Sequence, residues 1–293
     1  MSAPQSPPRA RPSLSPVRLS YAPGTMSVLD KILATKRDEV TILHQPQARD
    51  AIRKAALDAP PVRSFASALR RDDGRVAVIG EIKRRSPSKG PLAPDLDAAA
   101  TARSYAAGGA ACLSVLTDAH YFGGSVIDLM VAREAVDIPV LRKDFTIDDI
   151  QVYEARGIGA DAILLIATAI PDDGHLADLH SLALDLGLGV LVEVHDDAEL
   201  DRALAIDAAV IGINSRNLRD FAEDLGVAEG IVGRIPAGSI AVAESAIRSR
   251  DDVIRMAGAG FEAVLVGEAL VRSEDPTATM HAFAGVDRRD GGR

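Results

Sequence analysis

The chain holds a single cysteine, Cys112, among 293 residues, which excludes an internal disulfide and a cysteine-rich zinc fold. It contains no apolar stretch near the ~18 residues that suggest a membrane span. Nor is there an excess of positive charge, since 33 Lys and Arg stand against 42 Asp and Glu for a net charge of −9. A surface that neutralises nucleic-acid phosphates is therefore not expected. No cluster of His, Cys and Asp has the spacing of metal ligands, so no metal is expected. What remains is ordinary: 47% hydrophobic residues, ample for a buried core, and 26% charged residues. These features suit a soluble protein of a reducing, cytoplasmic compartment, built as one large domain or two small ones.

Residues 1–25 lack acidic side chains altogether but hold six of the sixteen prolines, five serines, Arg9, Arg11 and Arg18. Proline at that density blocks helix and sheet ladders, and little apolar area is available to offset ordering entropy. A secretory signal needs a continuous apolar centre, which is missing, and six prolines argue against the amphipathic helix of a transit peptide. The expectation is a disordered tail, or a true start at Met26. Without it the body has 30 basic and 42 acidic residues. Ser27 followed by Asp30 reads as an N-cap with an acidic first turn. Apolar residues from Val28 to Ile52 then recur at helical spacing, so 27–56 is read as one or two helices before the main fold. The prolines at 60 and 61 end them, and 65–69 suggests one short further turn. The last residues, 286–293, are expected to be disordered.

From Arg75 the chain alternates regularly. Short continuous apolar runs lie at 76–83, 112–118, 139–145, 162–167, 189–195, 209–214, 239–245 and 263–267. Between and after them are amphipathic segments at 95–107, 125–135, 149–157, 176–186, 198–205, 227–235, 250–257 and 276–283. Continuous apolar runs are what strands covered on both faces require. Alternation of strand and helix implies parallel pairing through right-handed crossovers. Eight units in about 210 residues match a closed (β/α)8 TIM barrel, here with an N-terminal helical extension and spanning 26–285. An open doubly wound sheet is the alternative, but no GxGxxG follows the first strand.

In such a barrel the carboxyl ends of the strands form the active-site face. Those ends carry Glu81 and Lys83, Thr117 and Asp118, Arg142 to Asp144, Glu193 and His195, Asn214 and Arg216, Glu244 and Ser245, and Gly267 and Glu268. Any one of these alone is more readily a solvated end or a structural ion pair. Glu81 and Lys83 are two apart and so share one side of their strand. Glu193 and Glu244 lie inside apolar runs, where an ionised group must be paired or functional. Two lysines and three glutamates converging on one mouth form an acid–base constellation. His195 reads instead as a structural cap of the turn into the acidic start of the next helix. Cys112 reads as an inert buried thiol, and Met130, Met256 and Met280 as packing residues.

Barrels frequently bind phosphate between the loops after strands 7 and 8. Ser245-Ala246 and Gly267-Glu268 stand at those places, and the loop 86–90 (SPSKG) adds hydroxyls and a cation. Together they suggest a small phosphorylated substrate.

Several segments carry a closer likeness: 80–90 (GEIKRRSPSKG), 114–125 (SVLTDAHYFGGS), 139–145 (PVLRKDF), 153–166 (YEARGIGADAILLI), 191–195 (LVEVH), 211–218 (IGINSRNL), 243–247 (AESAI) and 264–268 (VLVGE). In these the chain resembles the indole-3-glycerol-phosphate synthases of tryptophan biosynthesis, from about Met26 to Phe283. The resemblance implies a decarboxylating lyase without a cofactor. Its substrate would be 1-(2-carboxyphenylamino)-1-deoxyribulose 5-phosphate, which cyclises with loss of carbon dioxide and water. It implies Lys143 as the acid on the ribulose carbonyl, and Lys83 as partner of the substrate carboxylate that also shares proton transfer. Glu193 would assist dehydration with Glu81 as its partner, while Glu244 and Asn214 orient the lysines and substrate hydroxyls. Phe122 and Phe145 match contacts of the anthranilate ring. Ser86, Arg216, Ser245 and Gly267 match the phosphate and carboxylate region, to which the positions of Ala246 and Glu268 add. An acidic lysine benefits from a lowered pKa, which neighbouring cations and partial burial would supply. Where the family usually has Gly after the strand-7 Ser, this chain has Ala246. The expectation is that its backbone needs no positive φ and that its N–H still serves the phosphate. A Schiff-base aldolase using Lys83 or Lys143 and a non-catalytic phosphate binder are the competing readings. No nucleic-acid or membrane partner is expected, and the protein is expected to act as a monomer.

Overall fold

The structure, a computed structural model of the chain, describes residues 26–216 and 223–288. The tail expected over residues 1–25 lies outside the described residues, as do 289–293. Eight strands, β1 (Ala77–Ile82), β2 (Cys112–Leu116), β3 (Val140–Lys143), β4 (Ala162–Ile166), β5 (Gly189–Val194), β6 (Val210–Asn214), β7 (Ile240–Glu244) and β8 (Ala263–Val266), follow the eight apolar runs. They pair in parallel in sequence order, and β8 closes on β1 with Ala77 opposite Ala263 and Gly80 opposite Val266. This is a closed (β/α)8 barrel.

The two-residue period of each strand sorts its side chains. Val78, Leu113, Val140, Ile163, Val192 and Ile211 face outward into one cluster with the surrounding helices. Ala77, Ile79, Leu141, Leu164, Leu191, Val242 and Leu265 face inward into a second cluster. Residues on both faces are almost fully buried, and each large aliphatic side chain there contributes about 1.5–3 kcal/mol of transfer free energy. The inward set next in register toward the carboxyl end is different in kind: Glu81, Lys143, Glu193, Asn214 and Glu244. The apolar floor therefore ends where the polar ring begins.

Three helices precede the barrel. α1 (Val28–Leu43) starts at a capping box in which Ser27 and Asp30 bond each other's backbone N–H, and α2 (Pro46–Asp58) starts with proline in its first turn. α3 (Phe65–Leu69) plugs the amino-terminal end of the barrel with Phe65 and Leu69. Gly189, at the start of β5, lies so close that a Cβ there would meet Phe65 Cβ at 2.8 Å. Eight longer helices surround the barrel: α4 (Ala98–Ala107), α6 (Val126–Ala135), α7 (Asp149–Gly157), α8 (Asp173–Asp185), α9 (Asp197–Ala205), α10 (Leu225–Val232), α11 (Arg250–Ala259) and α13 (Pro276–Ala284). Four-residue helices α5 (Ala119–Phe122) and α12 (Glu268–Val271) follow β2 and β8, and neither is long enough to show a period in sequence.

The expected disorder of 286–293 fails for its first three residues. Val286 is buried and its carbonyl accepts the Val76 N–H at 2.9 Å, while the Arg288 N–H donates to Gly74 O at 2.7 Å. An apolar side chain and two backbone bonds beside the entrance to β1 hold the chain there. No described helix is long and apolar enough to cross a membrane.

Candidate active site

A pocket opens at the carboxyl ends of the strands, with Leu164 and Leu265 among its floor residues. Lys143 stands at its centre. Its ammonium donates to Glu193 Oε2 at 2.8 Å and Glu244 Oε2 at 2.6 Å. Lys83 donates to Glu81, and both lysines line this one pocket rather than opposite rims. Asn214 ties the ring together: its Nδ2 donates to Glu193 Oε1 at 3.0 Å, and its Oδ1 accepts the Arg216 N–H at 3.0 Å. Two glycines make room for the carboxylates. A Cβ at Gly212 would overlap Glu244 Oε1, and one at Gly267 would overlap Glu81 Oε1. Gly267 thus serves the acid–base ring as well as the loop after β8.

Electrostatics divide the carboxyl groups. Burial penalises every charge here, but Lys83 and Lys143 overcome it for Glu81 and hold its pKa below the ordinary value. Lys143, with help from His195 and Asn214, does the same for Glu193. Glu244 is pushed up to about 7, because burial and the Glu193 charge outweigh its bond to Lys143. Its Oε1 is buried without a hydrogen-bond partner among the described residues. The lowered pKa expected for Lys143 is overturned. Burial pulls it down, yet Glu193, Glu244 and Glu81 prevail and raise it. Lys143 is therefore a loaded ammonium, and the group that titrates near neutrality is its carboxyl neighbour.

Other expected site residues fall into place unevenly. Phe122 and Phe145 form one apolar wall with ring centroids 6.2 Å apart. Arg216, Ser245, Ala246, Gly267 and Glu268 line the opposite side. Ser86 does not reach the pocket: it is buried in the hairpin after β1, where its Oγ accepts the Lys89 N–H at 3.2 Å, and its neighbour Pro87 lines the pocket instead. The expectation for Ala246 is also overturned. Ser245 and Ala246 have φ of 65° and 59°, the left-handed region that costs a residue with a Cβ about 1 kcal/mol. Both residues adopt it in the turn that directly follows β7.

Sequence reasoning missed Glu223 and Arg248, which also line the pocket. Glu223 accepts from both Arg216 and Arg248. It also missed the pair between Lys89 Nζ and Glu268 Oε2, 2.6 Å apart, which ties the loop after β1 to the start of α12. Arg142 lies on the outward face of β3 and stays out of the pocket, while Asp144, just past the end of that strand, is among the lining residues. Arg142 is buried against Glu154 at 2.7 Å and Thr117 at 3.1 Å, a structural role. Asp144 and Asp118 grip Lys36 of α1. Cys112 is buried at the far end of the barrel, and burial pushes its thiol pKa up, as suits an inert residue. Far from the pocket, His44, Asp148 and Asp149 bring possible ligand atoms within 4.8 Å of one another, a grouping no local spacing reveals because α1 supplies the histidine.

Comparison with known proteins follows the same lines. A family model described as indole-3-glycerol phosphate synthase matches residues 29–283. An indole-3-glycerol phosphate synthase of Laribacter hongkongensis is 51% identical over 261 residues, covering 88% of this chain and 99% of that relative. One of Variovorax paradoxus is 46% identical over 262 residues, covering 87% and 98%. Among solved structures, 3-hexulose-6-phosphate synthase from Salmonella typhimurium aligns with a TM-score of 0.57 at 15% identity, over 71% of this chain and 97% of that one. That last likeness is one of fold alone.

Proposed function

The chain belongs to the indole-3-glycerol phosphate synthase family, and we propose from that membership and the pocket's geometry that it closes the indole ring of 1-(2-carboxyphenylamino)-1-deoxyribulose 5-phosphate. Carbon dioxide and water leave, and no cofactor takes part. The observation that carries the reading is a single ammonium, Lys143, held between two buried carboxyl groups at the centre of the mouth.

The anthranilate ring lies against Phe122 and Phe145, and the phosphate meets Arg216 and the open backbone of Ser245, Ala246 and Gly267. Lys83 pairs with the substrate carboxylate, releasing Glu81. Lys143 protonates the ribulose carbonyl oxygen as the ring carbon attacks the carbonyl carbon. Its strong pairing in the free enzyme keeps it charged for that step, and the arriving carbonyl competes for its protons. Decarboxylation restores the aromatic ring. Glu193, with Glu81, then assists removal of the hydroxyl and of a neighbouring proton, and Asn214 and Glu244 orient the groups involved. A Schiff-base route is disfavoured, since a lysine kept protonated by two carboxyl groups is a poor amine nucleophile.

This reading makes the protein a small-molecule enzyme of the cytoplasm, acting as a monomer and without nucleic-acid partners. The test is to add the carboxyphenylamino ribulose phosphate and follow indole fluorescence, against a chain that contains no Trp. Product should form with one carbon dioxide released per indole. No fluorescence from the intact protein at saturating substrate would defeat the proposal.

A further inference from the structure

The ring closure has a proton balance that the pocket must satisfy. The substrate enters with an ionised carboxylate, and its products are a neutral carbon dioxide, a water and the indole phosphate. One proton is therefore consumed in each cycle. It enters on the carbonyl oxygen and departs in the water, while the second proton of that water is balanced by the one lost from the neighbouring carbon. However the steps are divided, the buried lysine–glutamate ring ends one proton short.

A route outward is built into the fold. His195 Nε2 lies 3.5 Å from Glu193 Oε1, on the side of Glu193 away from Lys143. That nitrogen is buried and has no hydrogen-bond partner among the described residues. On the other edge of the ring, Nδ1 is 3.0 Å from Glu199 Oε2 in α9 (Asp197–Ala205). Glu199 also accepts from the hydroxyl of Thr168, an exposed residue in the turn after β4. The His195 N–H donates to Glu199 as well, at 2.8 Å, so the turn-capping role expected of this residue accounts for its backbone but leaves its imidazole to be explained.

Resting on the ring-closure reading, we propose that His195 is the relay that returns this proton from solvent to the active site. A proton enters through Glu199 onto Nδ1, and the one on Nε2 passes to Glu193, which hands one to Lys143. The groups facing the imidazole are Glu193 on its own strand, Glu199 of α9, Thr168 after β4 and, at longer range, Glu244 of β7, with Lys143 and Asn214 one bond further in. Burial lowers the imidazole pKa, but Glu199 and Glu193 prevail and raise it above its ordinary value, which favours the proton-carrying form of the ring.

The relay acts after chemistry, which separates it from a merely structural role. In His195→Gln the first turnover, run on the proton already on Lys143, should stay within about twofold of the parent, while steady-state kcat falls about tenfold or more. KM should be little changed, and added 4-methylimidazole should restore kcat. Glu199→Gln should give the same pattern in weaker form and serves if His195→Gln does not fold. Equal loss in both phases, or an undiminished kcat, overturns the relay. Absence of product from the unmodified protein would instead defeat the ring-closure reading. In that case nitrogen NMR of His195 still decides the contact. Its titration midpoint should fall in Glu193→Gln, and an unmoved midpoint overturns the relay.

Discussion

Lys36 and Lys143 are both nearly buried and each is gripped by more than one carboxyl group, yet they do different work. Lys36, on α1, is 2% exposed and bonds Asp118, Asp144 and Glu39 at 2.8–2.9 Å. Lys143, on β3, is 13% exposed in its side chain and bonds Glu193 and Glu244 at similar distances. Around Lys36 the acids have other partners. Asp118 also caps the helix carrying Phe122, accepting the Phe122 N–H at 3.2 Å, and Asp144 accepts the Phe145 N–H at 2.8 Å. Asp144 is held below its ordinary pKa, since Arg142 and Lys36 together outweigh burial. Around Lys143 one acid is left over: Glu244 is pushed up and keeps a buried oxygen, packed against Gly212, without a hydrogen-bond partner among the described residues. A buried ion pair whose acids are also fixed by backbone N–H groups is structural, and one that includes a carboxyl raised toward neutrality in a pocket lining is poised for proton transfer. Lys36 accordingly fastens the added helix to the mouth and steadies the aromatic wall.

The comparison breaks most sharply at Lys36. Lys36→Met leaves Asp118 without its cation and Asp144 with Arg142 alone, and should cost about 3–5 kcal/mol, read as a lower denaturant midpoint. KM should rise more than kcat falls, because Phe122 and Phe145 lose their anchors. At Lys143 the acid itself is the lever. Glu244 has a folded-state pKa raised above its ordinary 4.5, so the stability it contributes is full below about pH 4.5 and is lost as pH rises through about 7. Glu244→Gln should therefore gain stability relative to the parent between pH 5 and 8, by on the order of 2–3 kcal/mol, measured as a growing difference in Tm. The smallest effect is expected at Ala246, where Ala246→Gly relieves a left-handed backbone and should stabilise by about 0.5–1 kcal/mol, a rise in Tm of a few degrees.

The barrel was legible because strands covered on both faces must be apolar runs, and eight such runs are unmistakable. The ring of Glu81, Lys143, Glu193, Asn214 and Glu244 was legible because charges have no place in those runs unless they serve. Lys36 escaped because its buried acids, Asp118 and Asp144, lie more than 80 positions away, although Ile32, Lys36 and Val40 share one face of α1 and that pattern was a usable signal. Glu223 and Arg248 sit in loops, where charge is unremarked. Ser86 was misjudged because a loop hydroxyl points outward or inward depending on the hairpin it closes. The strain at Ala246 was hidden because alanine, unlike glycine, announces no turn.

The most direct test of the account is indole formation by Lys143→Met, measured alongside substrate binding and Tm. The account predicts a variant that still folds and binds substrate but turns over at least about 1,000-fold more slowly than the parent. Turnover within about tenfold of the parent would contradict it, because the proton at the heart of the reaction would then come from elsewhere.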